Sequence, residues 1–139
     1  MLSYIVFCCG LLCVQAHMYC RVEEIIRNTH ELLAENFETC DCSLTSSCLC
    51  LPISWTGCEL SCFVDGFKRM NETLQVGVDV RDTIRHVHRS LSQLQKKTCK
   101  NLLTCRGPCH TNSTGNIEKF LTLVKTTFQQ VRKEKSGKK

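Results

Sequence analysis

The residues best suited to chemistry in this chain are its cysteines. Two pairs, Cys40/Cys42 and Cys48/Cys50, have a single residue between them. Structural zinc sites usually place about two to four residues between paired thiolates, and those thiolates must stay reduced. A disulfide within so short a pair is also geometrically disfavoured. The spacing therefore favours disulfides to partners elsewhere, joining a loop to helices, over a metal site.

The cysteine count supports a secreted chain with a removable leader. Residues 1–16 carry no charge, are largely apolar and end in Val14-Gln15-Ala16. This predicts a cleaved signal peptide over residues 1–16 and one mature domain over residues 17–139. A buried N-terminal helix is the alternative, and it leaves three leader cysteines to be explained.

Cleavage leaves an even number of cysteines. The chain has 13 cysteines and the leader holds three, so 13 − 3 = 10 remain. An even, dense set in a secreted chain indicates a disulfide framework, although about 945 pairings are possible for five bridges. The predicted framework residues are Cys20, Cys40, Cys42, Cys48, Cys50, Cys58, Cys62, Cys99, Cys105 and Cys109.

Other reactive patterns are few. Two sequons, at Asn71 and Asn112, predict glycosylation. His86 and His88 are two apart and cannot bind one metal from one helix face. The sequence contains no nucleophile elbow, metalloprotease motif, phosphate-binding loop or dinucleotide glycine pattern, so it predicts neither an enzyme nor a cofactor.

Four segments with helical spacing of apolar residues must position these groups. They are predicted at about residues 21–38, 56–71, 79–97 and from 117 to about 131. Thr56 and Glu59 form a capping-box pattern before the second helix, and Asp79 is a plausible N-cap for the third.

The connections between these helices predict the topology. Residues 39–55 and 98–115 form long links, whereas residues 72–78 form a short one. A long, a short and a long connection in this order are typical of a four-helix bundle with two crossover connections. The predicted fold is an all-α, short-chain four-helix up-up-down-down bundle with two long crossover loops pinned by disulfides.

The net charge of +5 is concentrated at the basic C-terminal end. Such a tail favours weak contact with a heparin-like glycan, with a solvated end as the simpler alternative. The pattern predicts neither nucleic-acid binding nor membrane insertion. A secreted basic module that acts as an inhibitor or antimicrobial through glycan or membrane binding is the alternative function.

One long pattern links the cysteines to their neighbours. It comprises Cys40-Asp41-Cys42, Cys48-Leu49-Cys50-Leu51, Cys58, Cys62-Phe63, Met70-Asn71-Glu72-Thr73, Cys99, Cys105, Cys109, Asn112-Ser113-Thr114-Gly115-Asn116, and Phe120-Leu121 to Phe128-Gln129. This pattern closely resembles the interleukin-9 family over about residues 20–135, with interleukin-7 the nearest relative to consider instead. The first helix and residues 75–97 match mainly in apolar pattern, which suggests a divergent orthologue.

The resemblance implies a secreted cytokine that bridges an interleukin-9 receptor α subunit and the common γ chain and triggers Janus kinase/STAT signalling in immune cells. It places the γ chain at the first and last helices and the α subunit at a face that includes the third. Polar residues off the apolar stripes are the candidate contacts, with an ordinary solvated surface as the alternative for each. They are Arg81, Arg85 and Arg89 on the third helix, Thr122, Lys125 and Gln129 on the last, and Glu24, Arg27 and Glu31 on the first.

Overall fold

The computed structural model describes residues 22–35, 37, 42, 49–96 and 107–136. These form α1 (Val22–Leu33), β1 (Leu51–Gly57), α2 (Glu59–Thr73), α3 (Val78–Lys96), β2 (Cys109–Gly115) and α4 (Ile117–Ser136). The prediction of four helices is confirmed. The predicted leader, the basic end beyond Ser136 and five of the predicted framework cysteines (Cys20, Cys40, Cys48, Cys99 and Cys105) lie outside the described residues.

Several helix boundaries differ from those predicted. The capping box is wrong, because Thr56 belongs to β1 and α2 begins at Glu59 after Cys58, which makes no side-chain cap bond. The first helix ends at Leu33 and not near residue 38. Asp79 lies in the first turn of α3, not at its N-cap. At α4 the Asn116 side chain does cap the helix, since its Oδ1 accepts from the Lys119 amide at 2.9 Å.

The two long connections pair with each other, which corrects the all-α prediction. Strands β1 and β2 are antiparallel, with Leu51 opposite Gly115 and Gly57 opposite Cys109. Strand β1 buries Leu51 and Pro52, whereas most of β2 is exposed. The backbone hydrogen bonds of the ladder thus order β2, which buries little apolar surface of its own, against β1.

The core lies between the four helices. Each predicted stripe supplies buried residues, among them Ile25 from α1, Phe63 from α2, Leu91 from α3 and Phe128 from α4. The Phe63 ring has three aromatic neighbours, with centroids 5.4 Å from Trp55, 6.2 Å from Phe120 and 6.1 Å from Phe128. One aromatic side chain of α2 therefore joins β1 to α4.

One disulfide ties the second connection to α2, and another lies within the first connection. Cys62, inside α2, is bonded to Cys109 at the start of β2. Cys42 is bonded to Cys50 within the first connection. Cys42 and Cys50 were expected to join a loop to helices, and that expectation is wrong because they are bonded to each other. Cys58 is disulfide-bonded as well.

Helices α2 and α4 approach closely at a glycine. A Cβ added at Gly66 would lie 2.2 Å from Cζ of Phe120. The Phe120 ring is fully buried and also packs against Phe67, with centroids 5.4 Å apart. The ring therefore has no free space into which it could move, and position 66 requires the absence of a side chain.

We expect Gly66→Ala to lower the free energy of unfolding by about 1–3 kcal/mol through overpacking. Alanine is favoured over glycine in a helix by about 1 kcal/mol, which offsets only part of this loss. Gly77→Ala is the matched control, because a Cβ there meets no atom within 4 Å. Chemical denaturation without reductant measures both. Equal stability of the two variants would contradict the close approach at Gly66.

Candidate functional site

The predicted arginine row on α3 is divided between two roles. The Arg81 guanidinium is half-buried and donates to the carbonyl oxygens of Asn71 at 3.1 Å and Leu74 at 2.9 Å. The last carbonyls of a helix have no partners within it, so Arg81 satisfies the C-terminal end of α2. Arg85 and Arg89 are exposed. The surface row therefore consists of Arg85 and Arg89, with Arg81 engaged inside the fold.

The contact between α2 and α3 includes His88, a histidine with a lowered pKa. Partial burial lowers the pKa of His88, the nearby Lys68 ammonium lowers it further, and the Glu72 carboxylate partly opposes both. At the start of α2, burial raises the pKa of Glu59. Lys68 is exposed. Lys68 was not selected from the sequence, because it comes close to His88 only when α2 and α3 pack together.

The candidate residues on α1 lie in different surroundings. Glu24 is hydrogen-bonded to His86 of α3, whereas Arg27 and Glu31 are exposed. Glu31 borders a cleft between α1 and α3, across from Asp79. Arg27 and Glu31 are thus available at the surface, while Glu24 also helps to hold α1 against α3.

The candidate residues on α4 lie beside α1. Lys125 Nζ is 2.9 Å from His30 Nδ1, and Arg132 donates to Glu23 with a distance of 3.2 Å. Thr122 is exposed and Gln129 is half-buried on the same helix. The structure thus places α4 beside α1 through Glu23 and His30, whereas the α1 candidates Glu24 and Glu31 lie beside α3. His30, Glu23 and Arg132 were missed because their partners are about a hundred residues away in sequence.

The two sequons differ in exposure. Asn112 is exposed in β2. Asn71 is half-buried in the last turn of α2, and its Oδ1 is buried without a hydrogen-bond partner among the described residues. A glycan needs an amide nitrogen that faces solvent, so the surroundings of Asn112 suit one better.

The part of the chain that the structure describes shows no group of three or more His, Cys, Asp or Glu side chains that could hold a metal ion. No helix in that part is long and apolar enough to cross a membrane. The candidate site consists of two helical surfaces. One is formed by α1 and α4, which meet at the Glu23–Arg132 and His30–Lys125 contacts, and the other lies on α3.

Among known proteins, one family model matches this chain. The family model described as interleukin-9 matches residues 1–124. No curated protein and no solved structure matches the chain. The family match spans the first three helices, both strands and the first turns of α4.

Proposed function

Because the chain belongs to the interleukin-9 family of cytokines, we propose that it is a secreted cytokine that joins two receptor chains. The family match over residues 1–124 carries this proposal. The chain acts by binding and not by catalysis, and it is a divergent orthologue within the family. Residues 1–16 serve as the signal peptide that directs its secretion.

The bundle has up-up-down-down connections. Contacts of Ser61 with Gln95 and of Asn71 with Arg81 support antiparallel packing of α2 and α3. Contacts of α1 with α4 run from Glu23–Arg132 to His30–Lys125, which also supports an antiparallel pair.

The direction of α1 relative to α3 completes the topology. Glu24 meets His86, whereas Glu31 lies across the cleft from Asp79. These contacts support antiparallel packing here too. Helices α1 and α2 then point one way and α3 and α4 the other, as two long crossovers require.

The two helical surfaces meet different receptor chains. The α1–α4 surface, with Thr122, Lys125 and Gln129, contacts the common γ chain. The exposed arginines of α3 contact the interleukin-9 receptor α subunit. Arginine suits this role because its planar fork can pair with a carboxylate through two hydrogen bonds. Joining the two receptor chains brings their intracellular Janus kinases together.

We expect Arg85→Glu to weaken binding to the interleukin-9 receptor α ectodomain by about tenfold, because arginine is enriched among the interface residues whose loss costs more than about 1 kcal/mol. Arg69→Glu on α2 is the matched control, since Arg69 is also exposed and undergoes the same charge change. Surface plasmon resonance measures affinity, and far-UV circular dichroism checks that both variants are folded.

The same experiment tests the function itself. The folded chain is compared on the interleukin-9 receptor α ectodomain and the interleukin-7 receptor ectodomain, with reduced and alkylated protein as the unfolded reference. Selective binding that is lost on reduction supports the proposal. No binding by the folded chain would defeat it, and equal effects of Arg85→Glu and Arg69→Glu would remove the α3 row from the interface.

We expect the glycan to occupy Asn112 in preference to Asn71 in protein secreted by animal cells. The exposed strand position lets a glycan extend into solvent, whereas Asn71 lies in a helical turn with its Oδ1 buried. Mass spectrometry of the two sequon peptides measures occupancy, with Asn112→Gln as the control for assignment. Predominant occupancy at Asn71 would contradict this order.

A further inference from the structure

Cations gather on one outer surface of α2 and α3. Arg85 and Arg89 are exposed and four residues apart, so they share one side of α3. Lys68 is exposed on α2, close enough to act electrostatically on the half-buried His88 of α3. We name the three exposed residues, Lys68, Arg85 and Arg89, the α2–α3 basic face; His88, whose pKa is lowered, is not counted among its cations.

The cations of this face differ from those of α4. No hydrogen bond or ion pair joins the side chain of Lys68, Arg85 or Arg89 to another residue that the structure describes. On α4, by contrast, Arg132 is paired with Glu23 and Lys125 contacts His30. The charges of the α2–α3 basic face are therefore available to an external anion.

Exposed carboxylates lie along this face as well, among them Asp65, which precedes Lys68 by three residues on α2. Glu72 acts on His88 from α2, and Asp82 precedes Arg85 by three residues on α3. None of these carboxylates forms an ion pair with Lys68, Arg85 or Arg89 among the residues that the structure describes. An external anion can therefore pair with these three cations without displacing an ion pair of the described residues.

We propose that the α2–α3 basic face binds a sulfated polysaccharide chain outside the cell. Residues four apart on a helix rise by about 6 Å, so Arg85 and Arg89 repeat positive charge along a line, as a linear polyanion requires. Such a polyanion releases condensed counterions when cations neutralise it. The choice of a polysaccharide rests on the proposed secretion, because secreted chains meet sulfated glycans.

An anionic bilayer fits this face less well. Among the described residues, Val78 is the large apolar side chain that is exposed, at 76%. Helices that lie on a bilayer bury a continuous apolar side between the lipids. One exposed valine near the start of α3 does not supply such a side.

Binding of the folded full chain to immobilised heparin, measured by surface plasmon resonance at several salt concentrations, tests the proposal. We expect the double variant Lys68→Glu/Arg89→Glu to raise Kd by about tenfold or more and to reduce the slope of log Kd against log salt by about 2. The control Lys119→Glu/Lys133→Glu changes the same charge on exposed positions of α4. We expect it to raise Kd by less than about threefold.

Three results would overturn the proposal. The first is an equal loss in the α4 control, which would show that net charge alone governs binding. The second is loss of binding in Lys138→Ser/Lys139→Ser with no effect of the α2–α3 variant, which would assign the contact to the basic tail. The third is equally tight binding to duplex DNA or anionic vesicles, which would show no preference for sulfated sugar.

Receptor binding is scored separately on glycan-free surfaces. Lys68 is not among the proposed receptor contacts, so we expect Lys68→Glu alone to keep its affinity for the receptor α ectodomain while it weakens heparin binding. A chain that binds heparin through this face but no receptor would refute the proposed function and leave this inference standing. The reverse result would refute the inference alone.

Discussion

Replacing Phe63 with alanine is expected to lower the free energy of unfolding by about 3–5 kcal/mol. Phe63 is fully buried, and its ring contacts Trp55 edge-on while lying between Phe120 and Phe128. Truncation removes contacts to β1 and α4 at the same time and leaves a cavity. Such a loss is a large fraction of the roughly 5–15 kcal/mol by which native domains are stable.

Chemical denaturation measures this effect, and two further variants make it interpretable. Val78→Ala is the control, because it also shortens an apolar helical residue but at an exposed position. We expect its stability to stay within about 0.5 kcal/mol of the parent. Phe63→Leu fills part of the space and should give a smaller loss in the same direction. A loss at Phe63→Ala no larger than at Val78→Ala would contradict the central role of this ring.

The helices could be predicted because burial imposes a local rule. Leu60, Phe63, Phe67 and Met70 recur at three- and four-residue intervals, and all four are buried in α2. A period of 3.6 residues places them on one side of a helix, and water disfavours their exposure. Helix α2 could therefore be predicted from its own segment of the sequence alone.

The strands could not be predicted by the same rule. Strand β2 exposes most of its side chains, so it lacks the apolar alternation that marks a half-buried strand. Its pairing with β1 joins Leu51 to Gly115 through backbone hydrogen bonds, which carry little sequence information. Thr56 is an example: its local sequence predicts a helix cap, but it pairs with His110 in the sheet instead.

The candidate site was predictable only in part for a related reason. Helical spacing placed Arg85, Arg89 and Thr122 off the apolar stripes, and all three are exposed. It could not show that Arg81 binds the carbonyls at the end of α2, or that Lys125 contacts His30. Those roles depend on which helices become neighbours, and tertiary packing decides this.

The bond between Cys62 and Cys109 gives the second large effect. We expect Cys62→Ala/Cys109→Ala to lower the free energy of unfolding by about 2–5 kcal/mol. The bond joins residues 47 apart and attaches β2 to α2, so its loss frees a long loop in the unfolded chain. It also removes the covalent attachment of a strand that buries little surface of its own.

The Cys42–Cys50 bond supplies the matched control, because its sequence separation is only 8. Loop-closure entropy grows with the logarithm of loop length, so Cys42→Ala/Cys50→Ala should cost about 1–2 kcal/mol less than the α2–β2 variant. Each double variant removes both partners and leaves no new free thiol. Denaturation without reductant, after mass spectrometry has verified the remaining bonds, measures the difference. An equal or reversed order would show that the α2–β2 bond contributes little beyond what packing already holds, and that β2 is positioned by its pairing with β1 alone.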